Sequence, residues 1–316
     1  MTNFELNIKR PGRSAKRRRF SGPSDWSEVS PRHAIGLMRL RAILSTRTDT
    51  GTSEALFAGL HLLYGLRPRH QRWLFDAHFL RTIGLNADES TASGETGAGD
   101  GEREMTLKLG QSLIDTIRWI GETDPGTRFI VPSFRLFDFR FGTLPVLLGR
   151  LRHREVYYAP ADALGDSTFE EFASADKAYR DRNLPMLAAI LYRPGQAGER
   201  ESLNPKSLKV RAARFAHLEP ALLHLIAEHY ESTKQYLQSC FKHVFPKNLA
   251  SDEEKAKKAD KGGNWLDVAI SMAKLDATKI REIEQLNLYL ALKVLNEQLR
   301  QAEEMEAAVE KMRKPK

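Results

Sequence analysis

The chain has 316 residues, 41% hydrophobic and 28% charged, with a formal net charge of +8 and a mean hydropathy of −0.46. That is enough apolar material for two or three domains of ordinary size. No apolar run reaches the ~18 residues a membrane span needs, and no apolar stretch follows the charged N-terminal segment as a secretory signal requires.

FELNI, residues 4–8, alternates apolar and polar side chains and predicts a short strand. Residues 9–19, KRPGRSAKRRR, hold seven cations and no acid; without them only +1 of the net +8 remains. A block of like charges repels itself, so residues 1–23 read as a short strand followed by a disordered basic arm. The functional reading of that arm is an electrostatic contact through Arg13, Lys16, Arg17, Arg18 and Arg19 with nucleic acid or an acidic partner.

Residues 24–85 predict an N-terminal helical region. Ser30 is a natural N-cap and Pro31 occupies the first helical position, where its missing N–H costs nothing. Leu37, Leu40, Ile43 and Leu44 supply an apolar stripe. A second helix is predicted over about 53–64 and a third from Pro68. Residues 86–104, rich in Gly, Ser, Thr and acids, read as a flexible linker or loop.

Residues 105–250 predict a central helical domain, preceded within it by a β-prone aromatic stretch near Phe134–Phe141. Thr168 and Glu171 have capping-box spacing. Further helices are expected over NLPMLAAILYR and SLKVRAARFAHLE, and from Pro220 with Leu223, Ile226, Tyr230, Thr233, Leu237, Cys240, Phe241 and Val244 inward. The single cysteine, Cys240, excludes an intramolecular disulfide, points to a reducing compartment and reads as a small buried hydrophobe. Residues 251–263 alternate acids and lysines and read as a charged linker. Residues 264–316 predict a helical module in which Leu288, Leu292, Leu295, Leu299, Ala302 and Val309 form one seam, interrupted only by Glu306. Such a seam packs on another helix, either a partner's or the module's own. The expected fold is therefore mainly α: a multi-helix bundle with one or two short β segments and a C-terminal helical module.

The sequence carries few motifs of catalysis or ligand binding. There is no P-loop, no GxSxG and no HExxH, and GETGAGDG lies in an acidic stretch without the strand that a dinucleotide site needs. His224 and Glu228 are one helical turn apart but lack a second ligand pair. Asp162, Asp166, Glu170 and Glu171 sit around a helix start, where the dipole favours carboxylates. Trp26, Trp73, Trp119 and Trp265 are dispersed and read as core anchors. No catalytic residue, cofactor or metal is expected from this pattern.

Four segments nevertheless occur in a suggestive order: SDWSEVSPRHAIGLMRLRAIL, STFEEFASADKAYRDRNLPMLAAILYRP, RAARFAHLEPALLHLIAEHYESTKQYL and NWLDVAISMAKLDATKIREIEQLNLYLALKVL. Together they resemble tail assembly chaperones of tailed bacteriophages, or related tail-morphogenesis proteins. The resemblance implies a non-enzymatic protein of the host cytoplasm. Its partners would be the tape measure protein, the tail tube protein or a second copy of itself. The basic arm, residues 86–104 and the long C-terminal helix depart from the family's pattern. The alternative is a nucleic-acid-binding protein acting through the arm.

Overall fold

A computed structural model describes residues 1–8, 14, 16–46, 50–67, 112, 115–136, 155–196, 198–245, 265–273 and 276–313. The predicted linkers at 86–104 and 251–263, the third helix, Trp73 and most of Phe134–Phe141 lie outside these residues. The fold is mainly α, with two small antiparallel sheets among the described residues. The chain divides into two compact units, Met1–Gly126 with Pro220–Leu225 and Thr127–Glu219 with Ile226–Lys316. The expected boundaries at 86–104 and 251–263 lie outside the described residues.

In the first unit, β1 (Thr2–Ile8) pairs antiparallel with β2 (Lys16–Gly22), Glu5 opposite Arg19. Residues 16–19 of the expected disordered arm are therefore a paired strand. Glu5 offsets their self-repulsion, binding both Arg17 and Arg19. Then come α1 (Pro31–Thr46), α2 (Thr50–Tyr64) and the single turn α3 (Trp119–Glu122). Leu37, Met38 and Leu40 of α1 are buried, as are Phe57, Leu60 and Leu63 of α2, with Ile117 and Ile120. Ile43, expected on the apolar stripe, is exposed. Trp26 is buried; its indole N–H donates to the Thr123 carbonyl at 2.9 Å and its ring meets Trp119 edge-on at 5.4 Å. The ring of Tyr64 lies so close to Gly22 that an added Cβ would come within 2.4 Å of it, so this position needs glycine.

The second unit carries the sheet β3 (Ser133–Phe134), β4 (Tyr157–Tyr158), β5 (Arg193–Gln196) and β6 (Glu199–Arg200), paired in that order. Its helices are α4 (Phe169–Arg180), α5 (Leu184–Leu191), α6 (Pro205–Phe215), α7 (Pro220–Cys240), α8 (Trp265–Met272), α9 (Ala277–Gln285) and α10 (Leu288–Arg313). The first residues of α7 are grouped with the first unit. Proline stands in the first turn of α5, α6 and α7, with Asn183 and Asn204 capping the first two. Phe134, Tyr157, Tyr192 and Phe215 form an aromatic core with neighbouring ring centroids 5.0–5.8 Å apart.

Thr168 caps α4 as expected, its hydroxyl accepting from the Glu171 N–H at 3.3 Å. The Glu171 carboxylate does not return to the cap. It turns inward and takes two bonds from Arg193, at 2.6 and 2.9 Å, with both side chains buried. Arg200, equally buried, pairs with Asp166 at 2.7 Å and donates to the Leu191 carbonyl at 2.8 Å.

The expected C-terminal module is grouped with the rest of the second unit and bonded to it. The Phe169 N–H donates to the Leu286 carbonyl and the Leu288 N–H to the Ser167 carbonyl, each at 2.9 Å. The first turn of α4 has amide groups without intrahelical partners, and a later segment of the chain supplies one acceptor. Trp265 of α8 packs edge-on against Phe169 and Phe172, at 5.7 and 5.1 Å.

Candidate partner-binding groove

The apolar residues of α8 recur at helical spacing, so Trp265, Val268, Ala269 and Met272 share a side. Ala269 is buried and lets α8 approach closely. Trp265 and Val268 stay half-exposed and open onto a groove of about 550 Å³. Its other apolar walls are Val244 and Phe245, just past α7, with Leu295 and Leu299 of α10. Asp176, Arg180, Lys234, Asp267 and Ser271 supply a polar border. All of these residues belong to the second unit.

Asp176 is the anchor of this wall. It is buried, and its carboxylate accepts from the Trp265 indole N–H at 2.9 Å, Lys234 at 2.9 Å and Arg180 at 3.2 Å. The Tyr230 hydroxyl reaches the same carboxylate at 3.5 Å, and burial together with that negative charge holds Tyr230 protonated well above its ordinary range. Charge-assisted hydrogen bonds from several donors replace the water that the buried carboxylate has lost, and here they orient the tryptophan. A smaller hollow of about 250 Å³ is also lined by Trp265, with Phe169, Ala173, Lys177 and Leu266 among others.

The structure splits the leucine seam. Leu288 and Leu292 are fully buried and are core residues, a correction to their reading as partner contacts. They are buried because α10 starts against α4, which fills the seam with the chain's own side chains. Leu295 is nearly buried and Leu299 half-exposed, and both line the groove. Beyond them every side chain from Gln301 to Met312 is exposed, including Met305, Val309 and Met312. Cys240 is exposed, against the expectation that it is buried, because α7 turns its last residues outward after Leu237.

Of the electrostatic candidates, Arg13 lies outside the described residues and Lys16 belongs to β2. Arg17 and Arg19 are exposed on one side of the hairpin, and Arg18 is half-buried. His229 is buried; its Nε2 accepts from the Ile130 N–H at 3.2 Å, which makes it a structural histidine. Among the described residues no group of three His, Cys, Asp or Glu is placed to hold a metal ion, and no helix is long and apolar enough to cross a membrane.

Sequence reasoning missed the groove because its walls come from four separated parts of the chain. The available signal was Trp265, an amphipathic aromatic opening a short apolar helix. In comparisons with protein-family models, curated proteins and solved structures, nothing matches the chain.

Proposed function

We propose that this is a non-enzymatic, tail assembly chaperone-like protein of the host cytoplasm, which covers apolar helical surfaces of a tape measure protein until the tail tube forms. The observation that carries the reading is the groove walled by Trp265, Val268, Phe245, Leu295 and Leu299. A long helical client exposes apolar stripes that aggregate when uncovered. A groove of this kind accepts residues of one such stripe, spaced i, i+3, i+4, as a helix-in-groove contact. The polar border of Asp176, Arg180 and Lys234 suits release, since a partner held by a short apolar contact is readily exchanged. The ordered set of family-like segments supports the same reading.

The test is co-expression with a tape measure protein. The wild-type chain should keep the client soluble and co-purify with it. Val268→Asp and Leu299→Asp should each lose the client while keeping wild-type helical content. Retention of the client by both variants would refute the groove as its site.

A second reading is favoured by one observation, the pairing of β1 with β2. A two-stranded ribbon fits the DNA major groove, and this one exposes Arg17 and Arg19 on one side. Salt-dependent DNA retention lost on charge reversal of both arginines would support it. Retention unchanged by that reversal would exclude the ribbon.

A further inference from the structure

We propose that Arg211 is the centre of an oxyanion-binding site in the second unit, taking a carboxylate or a phosphate on one edge of its guanidinium. Arg211 lies on the inner side of α6, 7% exposed. Its Nε and Nη2 are both fully buried and meet no acceptor. These two nitrogens share one edge of the guanidinium plane. Their N–H bonds run parallel, the arrangement that a carboxylate or phosphate accepts with two oxygens. The unsatisfied groups are thus a complete fork, not two scattered donors.

The surrounding charge points the same way. Arg193 and Arg200 are buried in the same cluster, and the charge of Arg193 weighs on both Arg200 and Arg211. Two carboxylates answer them: Glu171 is taken by Arg193, and Asp166 by Arg200. The carboxylates that weigh on Arg211 are Glu201 and Glu155, both exposed, and Glu155 already accepts from the Tyr157 hydroxyl at 2.7 Å. Among the described residues, then, three buried guanidinium groups meet two partner carboxylates. Arg193 Nε is a further buried donor without an acceptor.

Arginine does not discharge at neutral pH, so it cannot relieve burial by losing its proton. A buried cation without a partner is strongly destabilising, and one monovalent oxyanion brings the cluster to balance. On the same helix Val210 is 56% exposed and Arg214 is exposed as well.

The test is thermal unfolding of the full chain titrated with sodium phosphate, sodium acetate or sodium chloride at matched ionic strength. Phosphate or acetate should raise Tm saturably, as a ligand of the folded state does, and chloride should not. The anion giving the larger rise distinguishes the phosphate from the carboxylate. Arg211→Lys keeps the charge but loses the fork, and its apparent affinity should fall about ten-fold, the loss of one charge-assisted hydrogen bond. Arg211→Met should be more stable than wild type in chloride and show no oxyanion response. Two results would overturn the proposal: no saturable rise with either oxyanion, or the same rise in wild type and Arg211→Lys. A wild-type chain more stable in chloride than Arg211→Met would also overturn it, by showing the charge to be already compensated.

Discussion

Replacing Glu171 by Gln tests the buried ion network most directly. The Arg193 and Glu171 side chains are only 3% and 8% exposed, and two parallel bonds of 2.6 and 2.9 Å join them. Removing one partner of a buried pair costs ~3–5 kcal/mol, because the other charge is left without compensation. Glutamine retains one acceptor oxygen, so one of the two bonds can survive and the expected loss is about 3 kcal/mol, the lower end of that range. Arg200 should add little, since Asp166 holds it at 2.7 Å while Glu171 stands at 3.8 Å. The double variant Glu171→Leu with Arg193→Met removes one charge of each sign. It should recover most of the loss, because apolar side chains of similar volume replace such a pair at little or no cost. The measurement is urea denaturation followed by circular dichroism. Hydrogen exchange of peptides from α4 would assign the loss to the second unit. A loss of less than ~1 kcal/mol for Glu171→Gln is the range of solvent-exposed pairs. It would show that water reaches the pair and would refute the network.

Leu292→Asp places a charge at a fully buried position and should unfold the second unit, whereas Leu299→Asp, on the half-exposed groove wall, should leave the circular dichroism spectrum unchanged. Phe172→Ala should cost ~3–5 kcal/mol in urea denaturation, since Phe172 is 1% exposed and packs on Trp265 and Tyr230. Thr168→Ala removes the cap of α4 and should cost about 1 kcal/mol by the same assay. Burial, with Glu155 beside it, pushes the Tyr157 phenol up to about 12 from an ordinary 10.0. The folded value is the higher, so its contribution is complete below pH 10 and is lost as pH rises through about 12. Tyr157→Phe should flatten the fall in stability over that interval, and an unchanged slope would contradict the assignment.

Helix starts were legible in the sequence because their determinants are local. Pro31 and Pro220 act through their own missing N–H and fixed φ, and Thr168 reaches an amide three residues away. The buried side of α7 from Leu223 to Leu237 followed from helical period, and the mainly α fold from the number of such segments. The same period could not tell which stripe meets the chain's own core. Leu288 and Leu299 fall on one seam, yet the former is fully buried and the latter lies on a groove wall, because α4 covers only the first part of α10. Likewise, charge content read residues 9–19 as a disordered arm, while Glu5, far from Arg19 along the chain, draws part of it into a strand. The Glu171–Arg193 pair, the unpartnered edge of Arg211 and the groove beside Trp265 had no local signal at all. Each is a juxtaposition of residues from different elements, and only the packing of those elements decides which side chains share a buried volume.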